Sequence, residues 1–319
     1  MALNSLRILV IGNGSIGRRH HGNLVALGAR AELLPYRALQ GGAGLARLEA
    51  AGGRFDGVVI ATATQIRTEI VALCAERGLP FYIEKPLAYR AADLAEIARL
   101  AAPLADRSLI GFMMRYHPAV KHLAGLDLSD IFHADFAIGH DVRQWRQNWR
   151  FADSYSARPE GGGVLLDLCH EIDMAQVLFP GLTVGRVESL GHAAYPGVDF
   201  ATRVGMAGGP VASVTMDYLS PVSLRRIFLR GQRHTVDFDF IAGRYRLATG
   251  GVWADHEMPF ERNDMFLAAM ADFLALVAGD KPKGQAAALP RFDLALGSAA
   301  AIVAAYEARQ FVGQVEGDF

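Results

Sequence analysis

The sequence predicts an α/β domain built on a parallel sheet, followed by an α+β domain with a large, mostly antiparallel open sheet. Three observations carry this reading. Short apolar runs alternate with helical segments through the first third of the chain, and a glycine-rich turn joins the first of these runs to the first helix. From about Ser129 onward, strand-like runs follow one another with turn residues between them. Alternating strands and helices imply a parallel sheet covered on both faces, whereas consecutive strands pair antiparallel. A length of 319 residues favours two domains.

In order along the chain, strands are expected at Leu6 to Ile11, Ala31 to Leu34, Gly57 to Ala61, Pro80 to Ile83 and Arg107 to Phe112. Helices are expected at Ser15 to Leu27, Thr64 to Arg77 and Ala91 to Ala102. The alternation ends near Pro118, which sets a first domain of residues 1–118 and a second of 119–319. In the second, Ile131 to Ile138 reads as a strand and Gly163 to Leu178 as one helix. Strands follow at 187–190, 201–206, 211–218, 223–230, 235–240 and 251–257. Two helices, Arg262 to Ala278 and Phe292 to Arg309, close the chain, the last returning to the first domain.

Hydrophobic residues make up 51% and charged residues 20%, which supplies a packed core and argues against disorder. Lys and Arg (32) balance Asp and Glu (33), so the basic excess of a nucleic-acid binder is missing. With two cysteines, Cys74 and Cys169, a disulfide framework is not expected. The first residues do not read as a signal peptide, and no stretch of about 18 uninterrupted apolar residues marks a membrane span. The expected compartment is the cytoplasm. No metal site is expected: His20 and His21 are adjacent on a helix and cannot converge on one ion.

Gly12-Asn13-Gly14-Ser15-Ile16-Gly17 matches G-x-G-x-x-G after an apolar strand and at the start of a helix, the context of a Rossmann nucleotide site. Gly12 permits the tight turn, Gly14 lets backbone approach a pyrophosphate, and Gly17 lets helix and strand pack closely. The following helix start, with Ser15 and Ile16, faces the phosphate charge. An acid at the end of the second strand would hold the ribose of NAD. That strand ends Leu33-Leu34-Pro35-Tyr36-Arg37, with Glu32 too early inside it. Arg37 can instead meet a 2′-phosphate, helped by Arg18 or Arg19, so NADP(H) is favoured over NAD(H). Thr62, after the third strand, is a further cofactor contact through backbone groups.

Glu84-Lys85-Pro86 follows the fourth strand, where ligands of open α/β sheets bind. The Lys85 ammonium can hydrogen-bond a substrate oxygen and stabilise negative charge developing on it. In the second domain, Gly161-Gly162-Gly163-Val164-Leu165-Leu166-Asp167 runs into Leu168-Cys169-His170-Glu171-Ile172-Asp173. His170, three residues after Asp167 on what reads as one helix, projects from the same face and can take a hydroxyl proton near neutral pH.

These three motifs, in this order, resemble the glucose-fructose oxidoreductase/inositol dehydrogenase/rhizopine-catabolism family. Gly111 to Pro118 is similar to the segment where that family's Rossmann domain ends. The resemblance spans essentially the whole chain and implies Lys85, His170 and Asp167 as catalytic residues, with Glu84 and Lys85 beside the cofactor. In the family the lysine and histidine act on the hydroxyl being oxidised and the aspartate supports them. Two departures stand out. The family often separates the aspartate and histidine by one residue more, and Ala63 and Arg67 replace a proline and a histidine after the third strand. A non-catalytic NAD(P)-binding regulator of the same fold is the alternative, and the intact Lys85 and His170 weigh against it.

Residues 141–150 bring Trp145 and Trp149 together with Arg143, Arg146 and Arg150, and Arg158 follows. The tryptophans offer faces for a sugar ring and the arginines can hold a carboxylate or phosphate. Together with Arg115 they form an expected substrate wall for an acidic or nucleotide-linked sugar. The open sheet leaves one face to cover, which predicts a homodimer or homotetramer.

Overall fold

The computed structural model describes residues 5–40, 43–144, 150–282 and 288–317. The chain divides into two units, Met1–His117 with Glu261–Leu296, and Pro118–Phe260 with Gly297–Phe319. The chain returns to the first unit at Glu261, earlier than the final helix on which the sequence reading placed that return.

Among the described residues the first unit holds a five-stranded parallel sheet in the order β2-β1-β3-β4-β5. The strands are β1 (Arg7–Ile11), β2 (Arg30–Leu34), β3 (Gly57–Ile60), β4 (Phe81–Ile83) and β5 (Leu109–Ile110). The runs Arg7-Ile-Leu-Val-Ile11 and Gly57-Val-Val-Ile60 are buried throughout, as strands covered on both faces must be. The helices are α1 (Ser15–Ala26), α2 (Tyr36–Leu39), α3 (Ala43–Gly52), α4 (Arg67–Arg77), α5 (Ala91–Ala101) and, from the returning segment, α9 (Arg262–Ala278). Thr64–Ile66 forms a separate 3-10 turn, so the expected helix from Thr64 begins at Arg67. α9 packs on α1, where Phe266 meets the edge of the His20 ring at 5.9 Å. The strand order reverses at β1, with β2 on one side and β3 on the other. A reversal of this kind opens a crevice at the carboxyl ends of the strands.

In the second unit, α6 (Pro118–Ala124), α7 (Val164–Asp167), α8 (His170–Leu178) and most of α10 (Phe292–Glu307) accompany a nine-stranded sheet among the described residues. Its strands are β6 (Ile131–Gly139), β7 (Thr183–His192), β8 (Ala201–Ala207), β9 (Val211–Asp217), β10 (Leu224–Gly231), β11 (His234–Asp239), β12 (Arg244–Thr249), β13 (Val252–Glu257) and β14 (Arg309–Val315). They lie in the order β13-β12-β11-β10-β6-β9-β8-β7-β14, antiparallel except where β6 meets β9 and β7 meets β14. Burial alternates along β8 and β9: Thr202, Val204 and Met206, with Ala212, Val214 and Met216, face inward. The opposite face leaves Arg203, Ser213, Arg226 and Arg230 outside the core.

Two strands escaped the sequence reading. β12 lies between turn residues in a stretch rich in arginine, and β14 begins at Arg309, which was assigned to the last helix. That helix ends at Glu307. The expected single helix 163–178 is two helices: α7 stops at Asp167, and α8 starts at His170 after Leu168 leaves helical geometry (φ −103°, ψ 25°). No helix among the described residues is long and apolar enough to cross a membrane.

Candidate active site

The glycine turn is built as a cradle. Gly12 has φ +118°, and a Cβ there would lie 2.3 Å from the Ala61 carbonyl oxygen. A Cβ on Gly17 would lie 1.9 Å from the Gly12 carbonyl oxygen. These two glycines are therefore demanded by close approach within the fold. Gly14 differs: an added Cβ meets nothing within 4 Å, and its φ of −76° suits any residue. Nothing in the fold requires glycine there, but a ligand lying against the backbone would. Asn13, Gly14 and Ser15 are exposed, Ile16 is half-buried, and among the described residues no side chain caps the start of α1. Beside them the buried Thr62 hydroxyl has no hydrogen-bond partner among the described residues. An orphaned hydroxyl next to an open glycine backbone fits a dinucleotide at this strand end.

The end of β2 places Glu32 and Arg37 in different surroundings. Glu32 accepts from Arg7 Nε at 2.8 Å and from a second Arg7 nitrogen, so its carboxylate is engaged inside the sheet. Arg37 is exposed on α2, three residues past the strand. The expected helpers are occupied elsewhere: Arg18 donates to Asn13 Oδ1 at 3.0 Å, and Arg19 lies 4.8 Å over the Phe266 ring.

After β4, the Lys85–Pro86 peptide is cis and Lys85 is half-buried. Buried Glu84 pairs with fully buried His20 at 2.7 Å. Burial alone would raise the Glu84 pKa, but the His20 hydrogen bond and the charges of His20, Lys85 and Arg67 outweigh it and leave the carboxyl below its ordinary value. Gly111 makes room for this group, since a Cβ there would lie 3.0 Å from the Glu84 Cα. Arg67, noted in the sequence only as a departure, is buried and donates to the carbonyls of Glu84, Pro86 and Thr62. Arg115 is also buried, its guanidinium 5.4 Å from the Phe112 ring centroid.

In the second unit Asp167 and His170 are both buried, on either side of the two-residue break between α7 and α8. The argument from a shared helix face therefore fails, because no continuous helix joins them. Asp167 accepts hydrogen bonds from the hydroxyls of Tyr155, Tyr218 (2.9 Å) and Ser156 (3.3 Å). Burial and the Asp167 charge hold the Tyr218 phenol well above its ordinary pKa, so it stays a donor. His140, 6.1 Å from the Tyr218 ring, is lowered by burial against the opposing pull of Asp167, Asp217 and Asp141. Asp173 is fully buried, so it does not face solvent.

The glycine run before α7 has a local cause. Buried Asp199 accepts from the Leu165 amide and Thr202 hydroxyl, both at 2.9 Å, and pairs with Arg309. A Cβ on Gly163 would lie 2.0 Å from Asp199 Oδ1, and one on Gly162 2.4 Å from the Arg158 carbonyl oxygen. Asp199 and Arg309 went unnoticed in the sequence because they carry no motif and lie far from the residues they brace.

Of the expected substrate wall, Trp145, Arg146 and Trp149 lie outside the described residues. Arg143 is closed onto Asp141 through two hydrogen bonds of 2.9 and 2.8 Å, and Arg150 onto Asp153 at 2.9 and 3.2 Å. Both pairs leave the arginines largely exposed. Arg158 is exposed.

No family model matches the chain. Over 192 residues it is 32% identical to the rhizopine catabolism protein MocA of Rhizobium meliloti, covering 55% of this chain and 58% of MocA. The chain superposes on the UDP-N-acetylglucosamine 3-dehydrogenase GnnA of Acidithiobacillus ferrooxidans with a TM-score of 0.75 and 19% identity, covering 95% of this chain and 97% of that one. An inositol dehydrogenase homolog from Azotobacter vinelandii, solved with NAD+, gives a TM-score of 0.76 at 14% identity, covering 95% of each chain. The fold is that of the sugar and inositol dehydrogenase structures: a Rossmann unit and a mixed-sheet unit. By sequence the chain is similar to MocA, and the matched stretch spans a little over half of MocA's length.

Proposed function

We propose that the protein is an NAD(P)-dependent oxidoreductase that transfers a hydride between nicotinamide and a hydroxyl or carbonyl carbon of a sugar or sugar derivative. The observation that carries this is the Gly14 cradle, open where the fold alone would accept a side chain. The MocA relationship and the fold shared with named sugar dehydrogenases support it. When bound, the nicotinamide accepts or supplies the hydride.

The chain's own residues supply positioning and proton transfer. Gly12, Gly14, Ser15, Ile16 and Gly17 present backbone and a helix start to the pyrophosphate. Arg37 pairs with a 2′-phosphate, and the engagement of Glu32 by Arg7 leaves no acid to favour an unphosphorylated ribose. NADP(H) is therefore preferred over NAD(H). His170 takes the hydroxyl proton as hydride leaves and returns it in the reverse direction. Lys85 hydrogen-bonds a substrate oxygen and stabilises negative charge developing on it. Asp167, held by three hydroxyls, keeps its carboxylate fixed in support of His170. Preference for an acidic or nucleotide-linked sugar rests on Arg158 together with Arg143, Arg146 and Arg150.

The test is a parallel fluorescence titration with NADPH and NADH, followed by a screen of sugars and sugar acids by nicotinamide absorbance. Tighter NADPH binding supports Arg37 as the phosphate partner, and tighter NADH binding overturns that assignment alone. Binding of neither would overturn the whole reading. The half-exposed sheet face with Arg203, Arg226 and Phe228 is assigned to a homodimer or homotetramer contact, and a monomer by light scattering at micromolar concentration would refute it.

A further inference from the structure

We propose that Arg67 is a positioning residue that fixes the backbone of Lys85 from both sides and ties it to the end of the neighbouring strand. This rests on the reading of Lys85 as the group that meets the substrate oxygen. Arg67 opens α4 and is 3% exposed. Its Nη1 donates to the carbonyl oxygens of Glu84 and Pro86, the two residues that flank Lys85. Its Nη2 donates to the Thr62 carbonyl oxygen at 2.9 Å. Thr62 follows β3 and Glu84 follows β4, strands paired with Ile60 opposite Ile83. One planar fork thus joins two neighbouring turns at the carboxyl edge of the sheet, the edge where Rossmann ligands bind.

A purely structural filler at this position would not need a charge. Burying a guanidinium is costly unless its donors find acceptors, and an apolar side chain of similar length would fill the same space more cheaply. What an apolar residue cannot do is hold three carbonyls in fixed relation. The side chain before Lys85 is held independently, through the Glu84 pair with His20. Lys85 is therefore presented from a turn constrained by side chain on one flank and by backbone on both. The same guanidinium also helps to keep the Glu84 carboxyl below its ordinary pKa.

The chain has few lysines, namely Lys85, Lys121, Lys281 and Lys283, so each can be followed separately by isotope-labelled dimethyl-lysine NMR. Lys85→Arg assigns the Lys85 signal. In Arg67→Met that signal moves toward the position of the exposed Lys281. Its kcat falls by roughly 100-fold, the scale expected for misplacing a reacting group, while the NADPH Kd changes by less than about 3-fold. Arg67→Lys, which keeps the charge and some donors, recovers part of the kcat loss. It also carries the NMR test if Arg67→Met does not fold, since losing the fork still shifts the Lys85 signal. A Lys85 signal that is unmoved in the folded variants would overturn the proposal, as would a loss of NADPH affinity equal to the loss of kcat. If the wild-type chain reduces and oxidises no sugar but the Lys85 signal moves as described, Arg67 positions Lys85 and the oxidoreductase reading is what fails.

Discussion

Gly14→Ala separates the demands of the fold from those of a ligand, because the two flanking glycines answer only to the fold. At Gly14 a methyl meets nothing within 4 Å and the backbone angles are ordinary. The substitution removes unfolded-chain entropy, worth about 0.4–1 kcal/mol of stabilisation, against a few tenths lost from a poorer helix cap. Stability should therefore stay within about 1 kcal/mol of wild type. At Gly17 the added carbon would lie 1.9 Å from a carbonyl oxygen and the turn must move. Overpacking of that kind costs about 1–3 kcal/mol. If a pyrophosphate lies on Gly14, the same methyl collides with ligand and weakens binding by a comparable 1–3 kcal/mol, or about 5- to 150-fold.

The assay pairs thermal unfolding with a NADPH titration of each variant. Gly14→Ala should unfold with the wild type and bind poorly, and Gly17→Ala should unfold earlier and bind poorly as well. Gly14→Ala that folds normally and binds as tightly as wild type would refute the cradle, since the one glycine that the fold does not explain would then have no ligand to explain it.

Three other outcomes are expected. Lys85→Ala and His170→Ala should each abolish turnover while leaving the NADPH Kd nearly unchanged; wild-type turnover in both would remove them from the mechanism. Asp199→Ala should destabilise the second unit by about 1–3 kcal/mol in denaturant unfolding, because it leaves the half-buried Arg309 guanidinium without its carboxylate and the buried Leu165 amide without its acceptor. Glu84 links stability to acid. Its folded pKa lies below the ordinary 4.5, so its contribution is present above that value and is lost as pH falls through the folded pKa. Below pH 4.5, Glu84→Gln should therefore flatten the dependence of unfolding free energy on pH by up to about 1.4 kcal/mol per pH unit, measured by urea unfolding across an acid series.

What could be read from the sequence was local, and what could not was long-range. The Gly12-Gly14-Gly17 turn announces itself because its spacing, the strand before it and the helix after it are contiguous. The same holds for the apolar runs of β1 and β3, whose complete burial leaves little choice of residue. The Gly161–Gly163 run was equally visible, but its cause was not: Asp199, held by Arg309 of β14, reaches Gly163 from a distant part of the chain, and only the folded structure shows that Gly162 and Gly163 are needed for room. Arg67 shows the same limit from the other direction. As a letter it was a missing histidine, and as a buried fork on three carbonyls it is part of the Lys85 turn. The clearest misreading, one helix across 163–178, came from treating spacing as geometry. Leu168 and Cys169 are good helix residues by composition, yet the chain turns there. Asp167 therefore ends one helix, bound by Tyr155, Ser156 and Tyr218, while His170 begins the next. Their relation is set by that break and by the tyrosines, none of which a three-residue spacing can express.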